Sequence, residues 1–562
     1  MNPSHDVAVL IAGAGPTGLT AALELSRLGI GVRIVDRAPE RSLTSRALGI
    51  QARTVELLRV RGVGDELVRL GNPARSTTLY SAGEKLASIE LHRMPSEFNY
   101  VLLLAQSDTE RLLTEQLNRQ GVKIERGVEL TAITQHRDGV SAVLCSGDGA
   151  EEMLDASYLI AADGSHSAIR KALGLPFTGK SLIHNYVLGD LHLAGDVPED
   201  QLSIFLGRNG FLAVFPMGDG RFRFMATDPD GITGDTGDPT LEDIQRLYDR
   251  TVHLPARLYN LNWISRFRIN SRHMTTLRDG RVFFGGDAAH VHSPAGGQGM
   301  NAGIQDMVNL SWKLAMVLNG HARKELLDTY QSDRLPVIRQ LVRMTERATR
   351  ALNSTNRLVH AAISRLAPIV LARSRVQDKA APRLGQLAAG YRCCPIAKGG
   401  GWIGSLRAGD RVPDLRVGRE RLYDLLDLST LTLFVTGDRV PEAYRPWRDV
   451  IALRRVSIDT MPAGWLLVRP DGYLAAAGGP DDGPVLSRWL RSVAHSTSAL
   501  SAERAAGSRL PRSSSINAHS AVAAIHSRAA SRGCCEPTAS KSAATTSTFI
   551  RLRRVTSSAI GR

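Results

Sequence analysis

The sequence predicts an α/β fold: a Rossmann-like nucleotide-binding domain interrupted by a mostly antiparallel β-sheet domain, followed by linking helices and a small α/β module. Three observations carry that expectation. A strand–glycine turn–helix–strand unit opens the chain at residues 7–36. Two further apolar strands end, like the first unit, in an acidic residue, YLIAAD at Asp163 and RVFFGGD at Asp287. Between them, residues 180–267 alternate short β-like runs with turn residues.

Taken in order, VAVLIAGAG is apolar throughout and reads as a buried strand. Thr17 to Leu28 places Leu19, Ala22, Leu23 and Ser26 at helical spacing, and Gly29 suits the helix C-cap. SAIRKAL after Asp163 and QDMVNLSWKLAMVL after the glycine-rich run at 285–299 are helical. The runs YVLGDLHLAG, FLAVFPMG and RFRFMAT build the inserted sheet, the candidate substrate domain. Residues 320–375, rich in Leu, Arg and Ala, predict long helices, and TLTLFVTG with WLLVRPDGYLAAAG predicts the closing module. The division expected is a discontinuous nucleotide-binding domain over 1–75, 100–178 and 268–350 and a sheet domain over 76–99 and 179–267. Linking helices over 351–384, a module over 385–495 and a disordered tail over 496–562 follow. The Ser-, Ala- and Arg-rich tail has too little apolar surface to offset chain entropy.

A chain of 562 residues needs more than one core. No run approaches the roughly 18 apolar residues of a membrane span, and the apolar start is preceded by Asp6 and broken by glycines, unlike a signal peptide. Five cysteines without a CxxC pair argue against a disulfide scaffold or zinc site and fit a reducing cytoplasm. The net charge of +15 would suit nucleic acid, but residues 497–562 hold ten Lys/Arg against two Asp/Glu, so the folded part is only mildly basic. No nucleic-acid or membrane partner is expected.

Gly13-Ala-Gly15-Pro16-Thr17-Gly18 is a GxGxxG loop between strand and helix, where backbone N–H groups approach a pyrophosphate. Asp36 closes the second strand, where a carboxylate can bind an adenosine ribose; otherwise it is a solvated strand end. FAD and NAD share that ADP half, so these features leave both open. In Gly285-Gly-Asp287-Ala-Ala-His290-Val-His292-Ser-Pro294-Ala-Gly-Gly297-Gln-Gly299-Met300-Asn301 the two histidines and Asp287 invite a metal, but no third convincing ligand follows and no metal is expected.

This last run resembles the GD motif of flavoprotein aromatic hydroxylases, and Ala162-Asp163-Gly164-Ser-His-Ser167-Ala-Ile-Arg170 resembles their DG motif. With the GxGxxG loop in order, residues 5 to about 350 resemble the p-hydroxybenzoate-hydroxylase-like (class A) FAD-dependent monooxygenases. Residues 405–480, ending in VRPDGYLA, resemble the thioredoxin-like module of members acting on phenols, polyketides and rifamycins. Two departures stand out: Ala475–Ala477 replace the usual tryptophan or arginine, and no CxxC is present, so thiol redox chemistry is not expected.

The resemblance implies FAD as cofactor and NADPH or NADH as transient cosubstrate. It assigns FAD contacts to Gly13, Gly15, Pro16, Thr17, Gly18, Asp36, Arg37, Arg46, Gln106, Leu130, Asp163, Asp287, Pro294, Gly297, Gly299, Met300 and Asn301, with Pro294 and Gly297 beside the isoalloxazine. It implies hydroxylation of an aromatic ring by O2 through a C4a-hydroperoxyflavin, in a monomer or homodimer. Epoxidation, Baeyer–Villiger oxidation and a non-catalytic FAD-binding sensor remain alternatives. His184, Tyr186 and Arg223 are candidate bases for a phenol, but none is assigned. Phe205, Phe211, Phe222 and Phe215-Pro-Met217 line an apolar pocket or belong to the sheet core.

Overall fold

The computed structural model describes residues 5–42, 47–207, 210–228, 239–448, 450–495 and 550–551. The opening strand Val7–Ala12 pairs in parallel with Val32–Asp36 on one side and Glu151–Ala161 on the other, and the latter pairs in parallel with Val282–Phe284. Val9, Leu10 and Ile11 have no exposed surface, as a parallel strand covered on both faces requires. Two helices that begin at glycine loops, Pro16–Arg27 and Gly299–Leu318, cover this sheet and contribute Leu19, Leu23, Ile304 and Val308 to the main core.

The acidic residues thus come off neighbouring parallel strands at their carboxyl ends, Asp36 ending its strand and Asp163 and Asp287 lying in the loops just beyond theirs. That edge is where open parallel sheets bind ligands.

The inserted sheet has eight strands, ordered His290–Val291, Ala256–Met274, Phe177–Gly195, Arg221–Thr227, Gly210–Gly218, Gln201–Gly207, Ser76–Ser81, Glu84–Glu90. Among the described residues its one parallel pair joins Gln201–Gly207 to Ser76–Ser81. Phe177–Gly195 and Ala256–Met274 are continuous strands of 19 residues each, so the sheet runs past the expected limits at 179 and 267. Helix Leu241–Val252, entered through a Thr240/Asp243 capping box, covers one face, packing Ile244, Leu247 and Tyr248 on Phe205, Phe222 and Phe224. The opposite face turns toward the nucleotide-binding domain.

Helices Asp328–Leu352, Arg357–Leu371 and Ser374–Leu384 lead to the closing module, a four-stranded sheet ordered 451–456, 431–436, 464–468, 474–478 beside helix Gly483–Val493. Ala475, Ala476 and Ala477 are buried in it. The module is fixed to the first domain by buried charges. Asp333 accepts from Lys313 Nζ and Arg469 at 2.7 Å each, and Glu56 takes both Arg53 and Arg411. Among the described residues the cysteines are free, with Cys394 buried and Cys393 exposed. Most of the 496–562 tail lies outside the described residues; Ile550–Arg551 pairs with Ile133 and Ala132 at the edge of the first sheet.

Candidate functional site

Close backbone approach dictates the glycines. Gly13 has φ +104°, and a Cβ there would stand 2.3 Å from the Ala162 carbonyl; a Cβ on Gly18 would meet the Gly13 carbonyl at 1.8 Å. The ends of the neighbouring strands Val7–Ala12 and Glu151–Ala161 therefore come this close only with glycine in the turn. The Ala14 N–H donates to Asp36 Oδ2 at 2.6 Å and the Ala38 N–H to Oδ1 at 2.9 Å, so Asp36 braces the loop.

Asp163 accepts from the Ala168 and Ile169 N–H groups through Oδ2, whereas its Oδ1 is buried without a partner. Burial is the larger influence and raises its carboxyl above the ordinary value. Arg170 ties this loop to the next, donating to the Ser165 and Ala288 carbonyls at 2.8 and 2.6 Å while lying 3.8 Å over the Phe177 ring.

The loop 285–299 is held from below. Asp306, fully buried, accepts from the Gly286 N–H at 3.0 Å, from His290 Nε2 at 2.7 Å and from Arg334 Nε at 2.7 Å. Burial alone would raise the Asp306 carboxyl, but Arg334 and His290 outweigh it and keep it below the ordinary value. Gly286 (φ +56°) and Gly303 both accommodate the Thr17 hydroxyl, which would lie 2.2 and 2.4 Å from a Cβ at each, so helix Pro16–Arg27 packs closely on the loop and on helix Gly299–Leu318. Asn301 donates to the Gly49 and Gly297 carbonyls at 2.8 and 2.9 Å and accepts from the Gln51 N–H.

These loops enclose a cavity of about 400 Å³. Its floor holds Gly15, Pro16, Thr17, Gln106, Asp287, Pro294, Gly297, Gly299 and Met300, which reasoning from the sequence had singled out. Gly13, Gly18, Asp36, Asp163 and Asn301 shape its walls without lining it; the side chain of Asn301 is consumed by backbone partners. Arg37 is exposed. Leu130 is buried in the main core, paired with Leu144, and does not line the cavity. Arg46 and the side chain of His184 lie outside the described residues.

Its roof is the sheet: Leu188, Phe215, Arg223, Met225, Phe267, Ile269 and Asn270. Phe205, Phe211 and Phe222 are sheet core instead. Arg223 is clamped to Asp190 at 2.6 and 2.7 Å, reaches the Ala47 carbonyl at 3.1 Å, and shares Asp190 with the Trp263 indole N–H. A guanidinium so paired is a cation and hydrogen-bond donor, not a base. Tyr186 is likewise unsuited to that role: it is buried in the sheet core, accepts from Asn353 Nδ2 at 2.7 Å, and burial pushes its hydroxyl up to about 12.

Reasoning from the sequence missed the roof residues Leu188, Met225, Phe267 and Asn270, and the Asp306–Arg334 support. Nothing local marks them, because strand alternation shows two faces without saying which one a distant loop will meet.

A second cavity of about 710 Å³ lies between helix Asp328–Leu352, the segment 383–394 and residues 405–411, and it shares Gln298 with the first. Gln298 is 1% exposed and its Nε2 is buried without a partner; Gln305 donates to Gln386 in the same partition. Among the described residues no three His, Cys, Asp or Glu are grouped to hold a metal ion, and His290 is committed to Asp306.

The first cavity suits a flavin dinucleotide. A strand-end glycine loop stands at one end, the N-terminus of a 20-residue helix at the other, and unpartnered buried polar atoms between. A nucleotide trough of this build, roofed by an antiparallel sheet, defines the two-domain flavoprotein oxidoreductases.

Comparison with known proteins is specific. Residues 6–345 match the FAD-binding domain family and residues 405–496 the C-terminal domain of aromatic-ring hydroxylases. The chain belongs to the FAD-dependent aromatic-ring hydroxylases, which are monooxygenases. It is 36% identical to 6-methylpretetramide 4-monooxygenase of Streptomyces rimosus, over 86% of this chain and 93% of that protein. It is 31% identical to pentachlorophenol 4-monooxygenase of Sphingobium chlorophenolicum, over 87% and 97%. Among solved structures, anhydrotetracycline hydroxylase from Streptomyces rimosus superposes with a TM-score of 0.73 at 30% identity, covering 86% of this chain and 98% of that one. Among the described residues no helix is long and apolar enough to cross a membrane.

Proposed function

We propose that this monooxygenase hydroxylates a polycyclic phenol of polyketide or naphthoquinone type, using O2 and reduced nicotinamide coenzyme, as a cytoplasmic monomer or homodimer. The observation that carries the substrate size is the cavity of about 710 Å³ that adjoins the flavin cavity at Gln298, within the range that holds sizeable ligands. Two of the similar proteins above act, by name, on 6-methylpretetramide and anhydrotetracycline, which supports the reading.

Bound FAD would supply the redox and oxygen-transfer chemistry, with the nicotinamide coenzyme as reductant and O2 as oxidant. The chain's residues do the rest. Gly13, Gly15, Pro16, Thr17 and Gly18 would admit the pyrophosphate, Asp36 and Arg37 the adenosine, and Asp287 the ribityl chain. Gln106 and Asp163, with Arg46, would complete the cradle. Pro294, Gly297, Gly299, Met300 and Asn301 would stand along the isoalloxazine. The free N–H groups opening helix Gly299–Leu318 offer positive potential there, which favours negative charge on the ring. Leu188, Phe215, Met225 and Phe267 exclude water above it.

The test is NADPH oxidation by FAD-loaded protein against simple phenols, naphthoquinones, anthracycline-type polyphenols and rifamycins, with products identified. Stimulated oxidation and a ring-hydroxylated product one oxygen heavier, best with the polycyclic members, is the expected outcome. Turnover restricted to single-ring phenols, or insertion of oxygen beside a carbonyl, would overturn the substrate assignment.

A further inference from the structure

The HxH pair divides its labour. His290 turns inward to Asp306 and holds the loop, whereas His292, its ring stacked on that of His290 at 6.4 Å and 10°, lines the 400 Å³ cavity. His292 Nδ1 lies 2.9 Å from the Ser293 carbonyl oxygen. A carbonyl only accepts, so Nδ1 carries the hydrogen and the neutral ring presents a lone pair at Nε2. That Nε2 is buried and has no partner in the protein. It stands 3.7 Å from where a Cβ on Gly299 would be, beside the helix N-terminus and below the apolar roof of Leu188, Phe215, Met225 and Phe267.

A buried acceptor without a donor is a standing demand for one. We propose that His292 is a specificity-determining residue: its Nε2 accepts the hydrogen bond of a ring hydroxyl on the aromatic substrate, selecting free phenols over their ethers. The inference rests on the aromatic-hydroxylase reading. Phenol and roof are matched chemically, since a phenol offers a flat apolar face to Phe215 and Phe267 and one donor at its edge. The neutral state is what the role needs, because a protonated imidazole has no acceptor. Burial is the main reason the ring stays neutral, pushing it down to about 4, and the neighbouring His290 adds to that effect. An O-methylated substrate presents the same flat ring but has no hydroxyl donor, so it leaves Nε2 unpaired, the situation in which polar sites discriminate most strongly.

The experiment titrates FAD-loaded protein with 2-naphthol and with 2-methoxynaphthalene, reading the flavin absorbance, and measures FAD affinity in parallel. Wild type is expected to bind the naphthol about ten- to a hundredfold more tightly. His292→Leu brings the two to near equality, chiefly by weakening the naphthol. His292→Gln, which keeps an acceptor oxygen, restores part of the preference, as a merely packed side chain would not. Equal or absent binding of the pair by wild type overturns the proposal, as does a preference that survives His292→Leu. So does a His292→Leu effect confined to FAD affinity, which would give the lone pair to the cofactor. Naphthol bound with the expected preference but never hydroxylated would count against the proposed function and leave the role of His292 standing.

Discussion

Replacing Asp306 by Asn tests whether the flavin loop is held in place by one buried carboxylate. Asp306 has no exposed surface and gathers three donors, the Gly286 N–H, His290 Nε2 and Arg334 Nε, at 3.0, 2.7 and 2.7 Å. Asn is nearly isosteric and retains one acceptor oxygen, enough for the Gly286 N–H. The loss is the negative charge opposite Arg334, whose guanidinium is itself 1% exposed. Removing one partner of such a pair leaves a buried cation and costs about 3–5 kcal/mol. At about 1 °C per kcal/mol for a chain of this length, the thermal midpoint should fall by roughly 3–5 °C. FAD affinity should fall as well, because the same carboxylate fixes the turn that carries Asp287. The assay follows unfolding and FAD release together, by circular dichroism and by recovery of flavin fluorescence. Adding Arg334→Met to the variant removes the orphaned cation, and the double variant should regain part of the midpoint. A fall of under about 1 °C, or a double variant worse than the two single losses combined, would refute the argument that charge pairing rather than packing holds the loop.

Three further outcomes are expected. Gly286→Ala forces a Cβ to within 2.2 Å of the Thr17 hydroxyl at φ +56°, so the protein should be recovered largely without FAD, read from the flavin-to-protein absorbance ratio. Arg469→Ala removes the cation between Asp333 and Asp471, costs about 3–5 kcal/mol, and should expose the segment between the linking helices and the closing module to limited proteolysis. His292 is pushed down to about 4 in the folded protein while the unfolded chain titrates near 6.5, so between those pH values the unfolded state binds more protons. Its contribution to stability is therefore present above about pH 6.5 and lost as pH falls toward 4, and the thermal midpoint of His292→Phe should vary less with pH across that window than that of wild type.

The local signals that the chain carries are those of backbone constraint. Gly13 and Gly18 are readable because a turn this tight admits no Cβ, and Asp287 because it follows an apolar strand and precedes a glycine run; both properties live within a few residues. The sheet domain is readable as alternation over 180–267, and the linking helices as an unbroken Leu- and Arg-rich stretch. Resemblance to the hydroxylases added the cofactor, which the GxGxxG loop could not choose because FAD and NAD present it with the same ADP half.

Other properties depended on contacts between distant segments. The roles of His290 and His292, two residues apart, separate only when Asp306 and Arg334 arrive from two later helices to claim one of them. Arg223 becomes a clamped cation only beside Asp190, and Tyr186 a buried donor's partner only beside Asn353, so neither could be excluded as a base from its own surroundings. Leu130, assigned a cofactor contact by resemblance, is occupied by core packing. Which face of the antiparallel sheet became the roof was likewise decided by tertiary structure: alternation gives every strand two faces, and only the helix Leu241–Val252 covering one of them leaves the other for the flavin.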